Sequence, residues 1–307
     1  MKRFSQLLLV LALLATVLAA CTSGAQSPTA GPITLTDGLG REVTLAAPAQ
    51  RIVSMAPSNT EILFAVSAGD QLVGRDEFSN FPEAAAAVQS IGGSMGDYNF
   101  EQIVSLKPDL VLAAEINTPE QVKALEDLGL TVYYLENPAD IQGMFANLEI
   151  VGQLTGHTAA VTALVDSLRQ RVTGVEAKVA NVDTRPKVFY ELDGTDAAKP
   201  WTAGSGTFID QLITMAGGEN VAASLDGAWG QISQEALLVA NPEIILLGDA
   251  AYGTTAEQVS ARAGWEAIQA VQTGQIVPFN DDTVSRPGPR LVDALEELVR
   301  ILHPDLK

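Results

Sequence analysis

The sequence predicts an α/β protein of two similar lobes joined by a single long α-helix, with a ligand cleft between the lobes. Three observations predict it. Apolar runs of strand length alternate with helical segments in both halves, a segment of the first half recurs in the second, and the alternation is interrupted once by long amphipathic stripes. Strand-length apolar runs between helices indicate parallel sheets covered on both faces, so each lobe is expected to be Rossmann-like.

The first residues bear on the compartment. Lys2 and Arg3 precede an apolar run, Leu7 to Ala20, interrupted only by Thr16. It is shorter than the roughly 20 residues of a spanning helix and reads as a signal peptide over residues 1–20. Leu18-Ala19-Ala20-Cys21 resembles the lipobox of bacterial lipoproteins, in which the cysteine is lipidated and becomes the new N-terminus. That resemblance implies an exported protein, lipid-anchored at Cys21 on the outer face of the cell membrane. Cys21 is the sole cysteine, so neither an intramolecular disulfide nor a thiolate metal site competes for it. Residues 21–32, rich in Gly, Ser, Pro and Ala, read as a flexible tether. No later segment approaches membrane-spanning length, so the lipid is expected to be the only membrane attachment.

The N-terminal lobe is assigned to residues 33–156. Ile33-Thr34-Leu35-Thr36 and Glu42-Val43-Thr44-Leu45 flank Asp37-Gly38 and read as a hairpin. Arg51 to Met55 is the first core strand, and a helix opens at Glu61 and runs to Val66. Leu72 to Gly74 is a short strand, Phe100 to Leu106 a helix and Leu110 to Leu112 a buried strand. Pro119 to Leu128 is a helix and Thr131 to Leu135 a strand. Ile141, Met144, Phe145, Leu148, Val151 and Leu154 then form one helical stripe, and Val161 to Val179 a second, at spacings of three and four. A helix from Thr158 to Val179 would span about 33 Å, so residues 157–182 are assigned as the linking helix, ended by Pro186.

The C-terminal lobe, residues 183–307, reopens the alternation with Val188 to Leu192. The segment from Phe100 to Leu112 matches that from Gln234 to Leu246 at a constant separation of 134, pairing Glu101 with Glu235 and Pro108 with Pro242. A register held through helix, proline and strand points to duplication. Two such lobes leave a cleft at the carboxyl ends of both sheets, where open α/β folds bind ligands.

Composition excludes several function classes. The formal charge is -19, and losing Lys2 and Arg3 with the leader lowers it by two. No basic stripe for nucleic acid is present; the acidic surface suits a basic docking partner and disfavours a strongly anionic ligand. His157 and His303 are the only histidines, and both are expected at the surface without a metal role. No His and carboxylate cluster, nucleophile elbow or phosphate-binding loop stands out. Gly204-Ser205-Gly206 reads as a strand-to-helix turn with Thr207 near a cap. An enzyme or a metal-cluster protein is therefore the poorer class.

Arg51-Ile52-Val53-Ser54-Met55-Ala56-Pro57-Ser58-Asn59-Thr60-Glu61 resembles the opening of the iron-complex and cobalamin class of periplasmic binding proteins. So do Phe81-Pro82, Leu106-Lys107-Pro108-Asp109-Leu110-Val111 and Ala216-Gly217-Gly218-Glu219-Asn220. The likeness covers roughly Gln50 to Leu302. Within the class, Trp229-Gly230-Gln231-Ile232-Ser233-Gln234-Glu235 looks most like the cobalamin-binding branch. The resemblance implies a non-catalytic receptor that delivers cobalamin or a related corrinoid to the permease dimer of an ABC importer. It implies docking carboxylates at Glu101 and Glu235, and ligand contacts at Phe78, Met95, Tyr98, Trp201, Trp229, Asp282 and Arg286. Met95 stands where the branch often has tryptophan. A ferric-siderophore or haem receptor on the same fold remains an alternative: a siderophore would want several cations, of which Arg286 is the evident one, and haem would want an axial ligand such as Tyr98 or Tyr252. A monomer is expected, with modest lobe movement about one rigid helix.

Overall fold

The computed structural model describes residues 31–306. The predicted signal peptide, the lipidation site Cys21 and the tether up to residue 30 lie outside the described residues. The structure begins with the hairpin of β1 (Ile33–Thr36) and β2 (Glu42–Leu45), paired antiparallel from Ile33 opposite Leu45 to Thr36 opposite Glu42. Its turn is organised by Asp37. One carboxylate oxygen accepts the amides of Leu39 and Arg41, and the other accepts the Arg41 guanidinium and the Tyr134 amide. Burial pushes the Asp37 carboxyl up, but the hydrogen bonds from Arg41 and Tyr134 outweigh it and hold the group below the ordinary range.

The N-terminal lobe carries a parallel sheet in the order β4-β3-β5-β6, from β3 (Ile52–Ser54), β4 (Leu72–Arg75), β5 (Leu110–Ala113) and β6 (Val132–Tyr134). Its helices are α1 (Pro57–Ala65), α2 (Phe100–Ser105), α3 (Pro119–Asp127) and α4 (Ile141–Thr155). Helix α1 starts four residues before the expected Glu61. Pro57 occupies its first turn, where a fixed φ suits the helix and the missing N–H costs nothing. Ser58, Asn59 and Thr60 are thereby helical and buried rather than part of a loop.

Helix α5 (Thr158–Val179) follows and leads to the second sheet, ordered β12-β11-β7-β9. Its strands are β7 (Lys187–Glu191), β9 (Glu219–Asn220), β11 (Ile244–Leu247) and β12 (Ile276–Pro278), while β8 (Trp201–Ala203) and β10 (Trp229–Gln231) form a separate antiparallel ribbon. Helices α6 (Phe208–Met215), α7 (Gln234–Ala240), α8 (Ala256–Ser260), α9 (Gln269–Thr273), α10 (Asp282–Ser285) and α11 (Arg290–Leu302) complete the lobe. Both sheets share one topology, with the first strand of each lobe flanked by its second and third.

The duplication reaches the backbone. Asn99 and Ser233 cap α2 and α7 through their side chains. Lys107 and Asn241, each just before a proline, both take the left-handed conformation at φ 50° and 48°. Each pair is again 134 residues apart.

Strand alternation divides the apolar residues between three cores. Leu110 and Leu112 of β5, with Ile244 and Leu246 of β11, face a core shared by both lobes, which also takes in α4, α5 and α11. Val111 and Ala113 face a core private to the first lobe. Ile245 and Leu247 face one private to the second, where Phe189 and Trp265 meet edge to face at 6.2 Å. Along α5, Val161, Val165, Leu168, Val172 and Val175 are all buried in the shared core. The helix therefore lies along the shared core with one face buried and the others in solvent.

His303 corrects one expectation. It is buried, not at the surface, because α11 ends by tucking its last turn into the shared core; the ring fills the slot beside Gly217, where a Cβ would lie 2.8 Å from Nε2. His157 is half-buried just before α5. Among the described residues no helix is long and apolar enough to cross a membrane, and no group of three or more His, Cys, Asp or Glu could hold a metal ion.

The contact between α4 and α5 depends on Gly152, where a Cβ would sit 2.4 Å from Val161. Gly152→Val should overpack this seam and destabilise the domain by about 1–3 kcal/mol, read as a lower thermal unfolding midpoint by circular dichroism.

Candidate ligand-binding cleft

The carboxyl ends of both sheets open onto one cleft of about 500 Å³, within the range of small-molecule sites. The first lobe contributes Ala56 to Asn59 after β3, Ala114 to Ile116 after β5 and Leu135 to Asn137 after β6. The second contributes Trp229, Tyr252 after β11, and Asp281, Asp282 and Ser285 to Pro287 around α10. These are the switch-point ends that the topology singles out.

Phe78 reaches the cleft from a loop after β4 and is 56% exposed. Asp76 anchors this loop: its Oδ1 accepts the Phe78 amide at 2.9 Å, its Oδ2 accepts the Ser79 hydroxyl, and Ser79 Oγ lies 2.7 Å from Thr60 Oγ1 on α1. Burial pushes the Asp76 carboxyl up, against the pull of those same hydrogen bonds.

Trp201 and Trp229 lie on the β8–β10 ribbon, in a register that pairs Trp229 with Ala203 and Gln231 with Trp201. The two indoles thus share a ribbon face on the diagonal, both half exposed, but only Trp229 lines the cleft. Tyr98 stands outside the lining. Its hydroxyl donates to the Met55 carbonyl at 2.9 Å and accepts from Asn117 at 2.8 Å, which braces the ends of β3 and β5. Met95 lies in a single 3₁₀ turn, Ser94–Gly96.

Exposed apolar side chains of Ile116 and Tyr252 add to the lining from corresponding strand ends of the two lobes. As a ligand contact, Ile116 went unread in the sequence, since nothing in a post-strand loop marks which side chain turns inward.

The wall is acidic. Glu115, Glu136, Asp281 and Asp282 line it, and Arg286 is the only cation among its described residues. Asp281 accepts the Tyr190 hydroxyl at 2.5 Å, and burial together with that carboxylate pushes Tyr190 far up, so it remains a donor.

Arg286 is already engaged. It donates to Glu61 Oε1 at 3.0 Å and Asn80 Oδ1 at 2.8 Å, both on the first lobe, and pairs with Asp282 on its own at 2.7 Å. Arg290 donates to Glu61 Oε2 at 2.7 Å and stacks 4.1 Å over the Phe81 ring. Glu61 was read from the sequence only as part of a helix and a family motif; its partners lie some 225 residues away.

The predicted docking acids are both exposed, on the first turns of α2 and α7. Its own backbone amide, in the first turn of α7, and the Ser233 hydroxyl hold Glu235 below the ordinary carboxylate range.

A family model described as periplasmic binding protein matches residues 52–283. The chain belongs to the periplasmic binding protein family. As a member it is a solute-binding protein of ABC transport and not an enzyme. It is 31% identical to an uncharacterised ABC transporter substrate-binding lipoprotein, YvrC, of Bacillus subtilis, over 99% of both chains. The periplasmic vitamin B12-binding protein BtuF of Vibrio cholerae superposes with a TM-score of 0.71 at 29% identity, covering 83% of this chain and 97% of that one. A periplasmic haem-binding protein of Pseudomonas aeruginosa gives 0.74 at 26% identity, covering 84% and 94%.

In this binding protein the Phe78 loop depends on Asp76. Asp76→Ala should speed hydrogen exchange of the Phe78 amide about tenfold, the equivalent of one lost bond to a charged group. Mass-spectrometric exchange of the peptide over residues 76–82 reads it directly.

Proposed function

We propose that the protein is a lipid-anchored receptor, held at Cys21, that captures cobalamin or a related corrinoid and delivers it to the permease dimer of an ABC importer. The observation that carries the ligand choice is the combination of exposed aromatic faces, Phe78, Trp229 and Tyr252, with an acidic wall whose one arginine is already paired. Flat apolar faces suit the edge and plane of a large macrocycle. A corrin that carries neutral amides meets Glu115, Glu136 and Asp281 as hydrogen-bond acceptors. Haem would bring two carboxylates, and a ferric siderophore its anionic oxygens, towards acids with no free cation to balance them. The likeness to the vitamin B12-binding protein supports the same choice.

One feature favours haem as a second reading. Tyr252 lines the cleft with its ring 89% exposed, and a phenolate is a known type of axial iron ligand.

Calorimetric titration of the protein with cyanocobalamin, haem and a ferric siderophore separates the readings. Cyanocobalamin should bind most tightly, and Trp229→Ala should weaken it by about 2 kcal/mol, roughly thirtyfold. Tight haem binding with none to cyanocobalamin would replace the first reading with the second.

Docking through Glu101 and Glu235 is the companion proposal. Two exposed acids at duplicated positions match a dimeric basic partner, and such rim charges act mainly on association. Glu101→Ala and Glu235→Ala should each slow association with the permease in detergent several-fold, and the double variant more, with ligand affinity unchanged in solution.

A further inference from the structure

Arg286, the one cation among the described residues of the cleft wall, belongs to a charge cluster that bridges the lobes. Glu61, on α1 of the first lobe, has a side chain only 1% exposed, and Arg286 and Arg290 of the second lobe are each 12% exposed. Asp282 closes the set on the solvent side at 39%. The four charges cancel. In so sheltered a setting each pairing acts through a lower effective dielectric than water, and removal of one partner leaves the others uncompensated.

The placement of Arg286 gives this balance a consequence for the ligand. Its guanidinium lines the cleft, yet its Nη1 donates to Glu61 and Asn80 and its Nη2 pairs with Asp282, so its charge is already balanced. Arg290, behind it, saturates the rest of the Glu61 carboxylate and is backed by the Phe81 ring. The cleft therefore presents four carboxylates and no unpaired positive charge among its described lining residues.

We infer that Glu61 is a specificity-determining residue: by neutralising Arg286 from across the lobe boundary, it turns the cleft away from anionic ligands. This rests on the reading that the cleft is the ligand site. A bond that merely held the lobes together would matter equally for every ligand. A charge screen instead makes a prediction with a sign. Glu61→Gln keeps the shape, weakens the inter-lobe bond and leaves an excess positive charge at Arg286. Arg290→Gln weakens the same bond but leaves an excess negative charge.

The test titrates the wild type and both variants with cyanocobalamin and with haem, and compares the ratio of the two affinities. Glu61→Gln should move the ratio towards haem by about tenfold, the effect of one partly sheltered charge. Arg290→Gln should leave it unmoved or move it the other way. If Glu61→Gln fails to fold, Asp282→Asn uncovers the same guanidinium from the solvent side and should shift the ratio in the direction expected of Glu61→Gln. Equal losses for both ligands, or the same direction of change in the glutamate and arginine variants, would overturn the inference and leave Glu61 as a latch. The two failures are distinguishable: a wild type that prefers haem defeats the corrinoid reading, whereas this inference stands or falls on the opposite directions of change in the two variants. Binding of neither ligand would remove both.

Discussion

The molecule depends on one packing arrangement: the inner faces of both sheets bury into a single hydrophobic core. Helix α5 lies along it, with Val161 against Gly152 of α4 at one end and Val172 and Val175 near α11 at the other. Because a packed interior resists change of volume, the lobes cannot swing apart without opening apolar surface along the whole seam. Polar ties lie around the same boundary. Gln211 of α6 accepts the Ile141 amide, and Arg171 of α5 pairs with Glu296 on α11. The cleft thus lies between two sheets that share one interior, and recognition comes from what lines it.

The lining is where the acidic composition becomes local chemistry. A net charge of -19 is a statement about solubility and partners; it says nothing of which carboxylates face one another. The fold sorts them into three uses. Asp37 and Asp76 are buried and fix backbone turns, one at the hairpin and one beneath Phe78. Glu61 is buried and bridges the lobes. Glu115, Glu136, Glu101 and Glu235 stay in water, two at the cleft and two on the duplicated helices. Burial with a partner, burial with backbone donors, and exposure give the same functional group three different tasks.

Much of the fold was legible because it rests on local patterns. The hairpin, the central strands and the two long helical stripes follow from periodicity, and Thr207 does cap α6 as the Gly204-Ser205-Gly206 turn implied. The likeness of the second lobe to the first was legible through the repeat. Short elements were not: β8 and β10 have three residues each and exist because they pair with each other, a non-local fact. Helix α1 starts one turn before the expected Glu61 because Pro57 fixes its first turn, a signal that apolar spacing does not carry. Among the site residues, Phe78, Trp229, Asp282 and Arg286 reached the lining from motif positions. Tyr98 and Trp201 did not, since a strand or loop position does not say which neighbour will claim a hydroxyl or how far along a ribbon the cavity reaches. His303 was misjudged for a similar reason: adjacency to Pro304 marks a chain end, but α11 carries that end into the core.

The hairpin at the start of the fold also shields a sheet edge. Asp37 and the Gly38 amide clip its turn to Tyr134, and the Tyr133 hydroxyl holds the Thr36 carbonyl, so β1 and β2 lie over the otherwise free edge of β6. A strand from another copy approaching that border would find the Tyr134 amide and carbonyl already bonded, so the clipped hairpin stands as a guard against edge-to-edge pairing.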